Sequence, residues 1–211
     1  TIGAHYLTHN SKDANDWNKL NENEQHFIKN ILLKHKLQIF HVKKLFTHGG
    51  SLRFFIKKNK NNKIKINKSV KIQVLKEKKF GIDKFKTYKF FADRVNYSKY
   101  KLRKILTNLK IKNKKIIGYG ATAKSVTILN YCKIDKKLID YFIDTTPDKI
   151  GKYMPGTNII IKKYNKNSLK NIDYVFLGAW NFKKEIFTKE KKFIKNGCKF
   201  ITHVPYPKIL N

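Results

Sequence analysis

The stretch Ile116-Ile117-Gly118-Tyr119-Gly120-Ala121-Thr122-Ala123-Lys124 decides how the C-terminal half of this chain folds. Two β-branched apolar residues predict a short buried strand. Gly118-x-Gly120-x-x-Ala123 then has the spacing of a glycine turn that passes from a strand into a helix. Such a turn faces an anion with backbone N–H groups and the positive end of a helix, and Lys124 adds a point charge. Asp144 stands 24 residues beyond Gly120, at the end of the next apolar segment, where an acidic side chain commonly takes ribose hydroxyls. Together these features favour a nucleotide-like ligand. The plainer alternative is a tight βα turn whose glycines serve packing alone.

Working outward, strands and helices alternate through the C-terminal part. The pattern predicts a strand at Ile116–Ile117, a helix over Ala121–Cys132, a strand over Leu138–Ile143 and another over Asn158–Ile161. A buried strand over Asp173–Leu177, a helix over Lys184–Lys195 ended by Gly197, and a strand over Cys198–Ile201 complete it. This order describes a right-handed parallel α/β sheet, Rossmann-like, of about four or five strands. Two segments fall at the carboxyl ends of those strands, where ligands bind. One is the long polar turn Thr145 to Thr157, with Pro147, Lys149, Gly151, Pro155 and Gly156; the other is Gly178-Ala179-Trp180-Asn181-Phe182, whose Trp180 can stack and Asn181 hydrogen-bond.

Upstream the pattern is different. Residues 1–23 show no clean period, and from about Glu24 the residues Phe27, Ile28, Ile31, Leu32 and His35 predict an amphipathic helix. A strand over Leu37–Val42, a turn at Thr47-His48-Gly49-Gly50 and a strand over Leu52–Ile56 predict a β-hairpin. Residues 57–72 read as a polar connector. Beyond Gly81 an approximate helical period runs from Phe85 to Leu109 with one gap between Val95 and Leu102, either one long helix or a broken pair.

Composition narrows the function classes. With 211 residues, 41% hydrophobic and 13% aromatic, the chain is that of a globular protein. A formal charge of +34 points first to a polyanion such as nucleic acid. Yet only Arg53, Arg94 and Arg103 among the 48 basic residues are arginine, the side chain that phosphate and base recognition prefers. The lysines are spread over every segment with no basic stripe interleaved with aromatics, which places nucleic-acid binding behind a nucleotide ligand. Cys132 and Cys198 form no CxxC and no metal-ligand spacing, so no metal is expected and a reducing cytoplasm fits. No signal-peptide pattern and no run of about 18 apolar residues is present, so no membrane partner is expected. The start at Thr1, without an initiator Met, is compatible with a piece of a longer protein. His48, in its glycine turn, is a candidate base, whereas His203, after the last strand, reads as structural or solvated.

Four motifs in series resemble one family. They are Thr47-His48-Gly49-Gly50-Ser51-Leu52-Arg53, Gly118 to Lys124, Asp144-x-x-Pro147-x-Lys149-x-Gly151-x-Tyr153-x-Pro155-Gly156-Thr157, and Ala179-Trp180-Asn181. Over residues 24–211 the chain resembles the C-terminal region of class I SAM-dependent sugar C-methyltransferases, which methylate a carbon of a nucleotide-linked deoxyketosugar. The resemblance implies three parts. Residues 1–72 would be the tail of a SAM-binding domain, its last helix and closing strands, 73–110 a connecting helix, and 111–211 a Rossmann-like domain that binds a dTDP-type nucleotide sugar. It further implies a sugar-nucleotide site built from Gly118, Gly120, Ala121, Thr122, Lys124, Asp144, Lys149, Pro155, Gly156, Trp180 and Asn181, with His48 as the catalytic candidate.

The family's glycine-rich SAM loop, zinc cysteines and catalytic Tyr-x-Glu-His segment have no counterpart here. Where that last segment would fall the chain reads Asp16-Trp17-Asn18-Lys19. Methyl transfer to carbon requires a base and an in-line methyl donor. The expectation is therefore a substrate-binding part that is not catalytically complete alone, whose SAM is held by a missing domain or a partner chain. An NAD-dependent oxidoreductase fragment and a basic nucleic-acid binder are the alternatives.

Overall fold

The structure, a computed structural model, describes residues 31–45 and 51–210. The chain divides between Val95 and Asn96 into two compact units. The His48 turn and most of the helix expected from Glu24 lie outside the described residues, although residues 31–34 are helical.

In the first unit β1 (Leu37–Leu45) and β2 (Ser51–Lys58) pair antiparallel, Leu37 opposite Lys58 and Leu45 opposite Ser51. Helix α1 (Lys68–Phe80) packs on β1. The Ser69 hydroxyl accepts from Val42 N at 3.1 Å and lies 3.0 Å from His41 Nδ1. This helix begins inside the expected connector of residues 57–72. Asn67 caps it, its side-chain oxygen accepting from Ser69 N at 2.9 Å. It escapes an apolar-period reading because its buried positions are Gln73 and Glu77, joined by a side-chain hydrogen bond of 3.1 Å. Gly81, at φ 79°, closes it in the left-handed conformation.

Helix α2 (Phe85–Ile111) is a single helix of 27 residues that runs through the division. The apparent gap between Val95 and Leu102 is filled by Ser98, buried on the same face at the i+3 position from Val95.

The second unit carries the expected Rossmann-like sheet, with seven strands. Its parallel strands are β3 (Ile116–Tyr119), β4 (Phe142–Asp144), β6 (Ile159–Lys163), β7 (Tyr174–Leu177) and β8 (Lys199–Thr202). They are ordered β6-β4-β3-β7-β8. In chain order this is third, second, first, fourth, fifth, the doubly wound arrangement whose switch point lies between β3 and β7. Two antiparallel edges, β5 (Tyr153–Met154) against β6 and β9 (Lys208–Leu210) against β8, raise the count above the four or five expected. Strands of two or three residues are too short to show a period.

Three expected elements differ for reasons visible in the structure. Helix α3 (Ala123–Tyr131) starts two residues late because Thr122 is its N-cap. Only Phe142–Asp144 of the expected Leu138–Ile143 segment is strand; Leu138 N and Ile139 N instead donate to Asp135 O, making a turn that buries Ile139. The expected helix over Lys184–Lys195 is two short helices, α4 (Lys183–Lys189) and α5 (Lys191–Lys195), broken at the buried Glu190.

Alternation sorts the sheet into two buried faces. Ile117, Ile143, Val175, Leu177 and Phe200 form one core with Ile186 of α4. The opposite face carries Gly118, Phe142 and Phe176: a Cβ on Gly118 would come within 2.3 Å of the Phe142 ring, and the Phe142 and Phe176 rings pack edge-on at 6.2 Å. Among the described residues no helix is long and apolar enough to cross a membrane.

Candidate functional site

The carboxyl ends of β3, β4 and β7 open into a cavity of about 340 Å³ at the switch point. Tyr119, Gly120, Thr122, Asp144, Lys149, Tyr164, Phe182, Glu185 and Lys189 are among the residues lining it. A wider groove of about 690 Å³ lies at the amino ends of the strands. The acids at that edge of the sheet serve the fold: Lys110 pairs with Asp140 at 2.6 Å, Lys114 with Asp173 at 3.1 Å, and the two carboxylates accept from Ile116 N and Lys115 N. Ligands of open α/β sheets bind at the carboxyl edge, so the smaller cavity is the candidate site.

The glycine turn is built as the spacing predicts, but the amides of Gly120, Ala121 and Thr122 are engaged within the chain. Gly120 N donates to Ile143 O at 2.9 Å, Ala121 N to Asp144 Oδ2 at 2.7 Å, and Thr122 N to Gly120 O at 3.0 Å. The Thr122 hydroxyl accepts from Ser125 N at 3.2 Å, and Thr122 O accepts from Val126 N at 3.1 Å. Gly120 has φ 86°, and a Cβ there would meet the Ala179 Cβ at 2.5 Å, so this glycine is required both by the turn and by the crossing of the β7 loop.

Asp144 is also committed. Its Oδ1 accepts from Thr146 N at 2.8 Å, its Oδ2 holds Ala121 N, and the Lys149 ammonium stands 3.7 Å away while donating to Ala121 O at 2.9 Å. Burial alone would raise the pKa of this carboxyl; the Thr146 and Ala121 hydrogen bonds and Lys149 outweigh it and hold it below the usual carboxylate range. Asp144 and Lys149 thus clamp the Ala121 peptide from both sides.

The remaining expected residues lie apart from the lining of this cavity. Gly118 faces Phe142 within the core. Lys124 places its ammonium 4.9 Å from the centre of the Trp180 ring, and burial lowers its pKa. Asn181 is exposed beside Trp180 in a short 3-10 turn. Pro155 and Gly156 belong to the β5–β6 hairpin: Asn130 of α3 donates to Pro155 O at 2.9 Å, and a Cβ on Gly156 would strike the Asn130 side chain at 2.1 Å. His203 stacks on Phe176 at 5.5 Å in the core, where burial and the nearby Lys124 ammonium push its pKa down to about 3. That environment suits a neutral core imidazole rather than a base.

Four residues of this region escaped the sequence reading. Tyr119 and Tyr164 donate their hydroxyls to the same oxygen of the buried Glu190, at 3.0 and 2.8 Å, their rings 5.7 Å apart. Burial, then Glu190, raises both phenol pKa values, that of Tyr164 to about 12. Lys189 sets its ammonium 3.8 Å from the centre of the Tyr164 ring. Separations of 26 and 71 residues join these groups, so no local spacing announces them. Among the described residues no group of three or more His, Cys, Asp or Glu could hold a metal ion.

Comparison with known proteins agrees with this architecture. Residues 46–205 match the C-methyltransferase C-terminal domain family. The C-methyltransferase NovU of Streptomyces niveus is 31% identical over 177 residues, which cover 84% of this chain and 42% of that protein. The chain therefore spans less than half the length of this curated relative. With a family match that begins directly after β1 and runs through all five parallel strands of the doubly wound sheet, the chain belongs to the C-methyltransferase C-terminal domain family.

Proposed function

We propose that this chain is the nucleotide-sugar-binding C-terminal part of a SAM-dependent C-methyltransferase acting on a dTDP-type deoxyketosugar, and that it is not catalytically complete alone. The observation that carries this reading is the cavity at the switch point of the doubly wound sheet, in a domain of this family. Its aromatic lining by Tyr119, Tyr164 and Phe182, with Lys149, Lys189 and Glu185 at hand, matches a ligand that is part planar ring, part anion and part polyol.

SAM would come from a domain or partner chain other than the described residues. A SAM ribose needs a carboxylate acceptor after a glycine turn, and the acid in that position here, Asp144, already holds two backbone amides. The same commitment weighs against the NAD-dependent alternative. A cytoplasmic setting belongs to this reading, supported by two buried free cysteines.

Calorimetric titration with dTDP and dTDP sugars tests the proposal. Saturable binding, weakened by Gly120→Val, is expected; no saturable binding, or binding indifferent to that substitution, would sink it. A clear signal with SAM would overturn the assignment of the methyl donor to another domain.

A further inference from the structure

The turn that should cradle a phosphate has the amides of Gly120, Ala121 and Thr122 already engaged. The cavity beside it holds an ammonium in a different condition. Lys189 ends α4 with its Nζ seated on the Tyr164 ring at 3.8 Å, and among the described residues no carboxylate pairs with it, not even Glu185 one helical turn earlier. The ring under it is fixed, because the Tyr164 hydroxyl donates to Glu190 at 2.8 Å and the Tyr119 hydroxyl to the same oxygen. Glu190 is 1% exposed, and the two phenol hydroxyls it accepts hold the Tyr164 ring with its face under the Lys189 ammonium at the cavity rim. Lys149 lines the same cavity but already donates to Ala121 O beside Asp144.

We infer that Lys189, held on Tyr164 by the Glu190–tyrosine network, is the diphosphate-binding residue of this cavity, in place of the glycine turn. This rests on the nucleotide-sugar reading for the identity of the ligand, but the diphosphate itself is testable alone. Of the acids lining the cavity, Asp144 is covered by two amides and Lys149, which leaves Glu185 as the acceptor for sugar hydroxyls and Lys189 as the cation for phosphate oxygens.

The experiment is calorimetric titration of the full chain with inorganic pyrophosphate, dTDP and thymidine. Wild type is compared with Lys189→Met, Tyr164→Phe, Tyr164→Leu and, as a charge control at the amino edge of the sheet, Lys195→Met. Lys189→Met is expected to weaken pyrophosphate and dTDP about tenfold, the loss of one charge-assisted contact, while thymidine is unchanged. Tyr164→Phe, which keeps the ring, should retain most of the affinity that Tyr164→Leu loses. An effect of Lys189→Met below threefold, or an equal effect of Lys195→Met, overturns the inference and leaves the nucleotide-sugar reading standing if dTDP still outcompetes thymidine. Pyrophosphate bound through Lys189 with dTDP no tighter keeps the subsite and removes the nucleotide reading. Absence of saturable binding by both pyrophosphate and dTDP removes both.

Discussion

Three glycines in the second unit separate two physical costs that sequence alone merges. At Gly151 the backbone is left-handed, φ 78°, and an added Cβ meets nothing within 4 Å. At Gly118 no left-handed φ is involved, but the Cβ would lie 2.3 Å from Cζ of Phe142, which is fully buried and has nowhere to move. At Gly120 both hold: φ is 86° and the Cβ would sit 2.5 Å from Ala179 Cβ and 3.1 Å from Ala179 N. Gly151→Ala should therefore cost about 1 kcal/mol, the left-handed strain of an L residue. Gly118→Ala should cost about 1–3 kcal/mol, as an overpacked core. Gly120→Ala should cost about 2–5 kcal/mol, the two effects added, which lowers the melting midpoint by about 10 °C or more in a domain of this size. The assay is denaturant and thermal unfolding followed by tryptophan fluorescence in a Trp17→Phe background, where Trp180 alone reports. Adding Phe142→Leu should relieve Gly118→Ala and leave Gly120→Ala unchanged, a coupling confined to the touching pair. If Gly120→Ala proves no costlier than Gly151→Ala, or Phe142→Leu rescues neither, the packing argument for this turn is refuted.

Three further outcomes follow from the same geometry. The native His203 pKa, near 3, lies below its unfolded value of about 6.5, so the unfolded chain takes up the proton first. Stability is full above about pH 6.5 and falls with pH by up to about 1.4 kcal/mol per unit, and His203→Leu should flatten the curve between pH 6.5 and 5; an unchanged slope contradicts the buried neutral imidazole. Cys198, pushed up to about 12 by burial and by Glu190 and Asp173, and the buried Cys132 should resist a thiol reagent at pH 8 until denaturant exposes both; rapid native labelling of Cys198 would show the site is open. Asn130→Ala removes the side-chain hydrogen bond to Pro155 O and should cost about 1 kcal/mol while leaving dTDP affinity unchanged. Weaker dTDP binding at unaltered stability would instead place the Pro155–Gly156 turn on the ligand.

How much of this was legible depends on how local each signal is. Gly118 to Lys124 announced the strand, the turn and the helix because each is set by neighbours within a few residues. Helix α1 was hidden because it buries Gln73 and Glu77 instead of an apolar stripe. The edge strands β5 and β9 were too short for a period, and the break at Glu190 follows from a buried carboxylate that only its tyrosine partners explain. Within the site, Gly120, Thr122, Asp144 and Lys149 were named from sequence and line the cavity. Lys124, Trp180, Pro155 and Gly156 stand near it in sequence pattern but make their contacts elsewhere.

By itself the sequence determined the class of fold, the position of the glycine turn and the family, since alternation, glycine spacing and motif order are written along the chain. Tertiary structure decided what those residues do. Strand order brought Asp144 onto Ala121 N and so consumed the acid and the amides that the spacing had offered to a ligand. The same topology gathered Tyr119, Tyr164, Lys189 and Glu190 from three distant segments into one network beside the cavity. Spacing counts residues, whereas a hydrogen bond or a cation over a ring requires positions in space, and these are fixed only when the sheet is assembled.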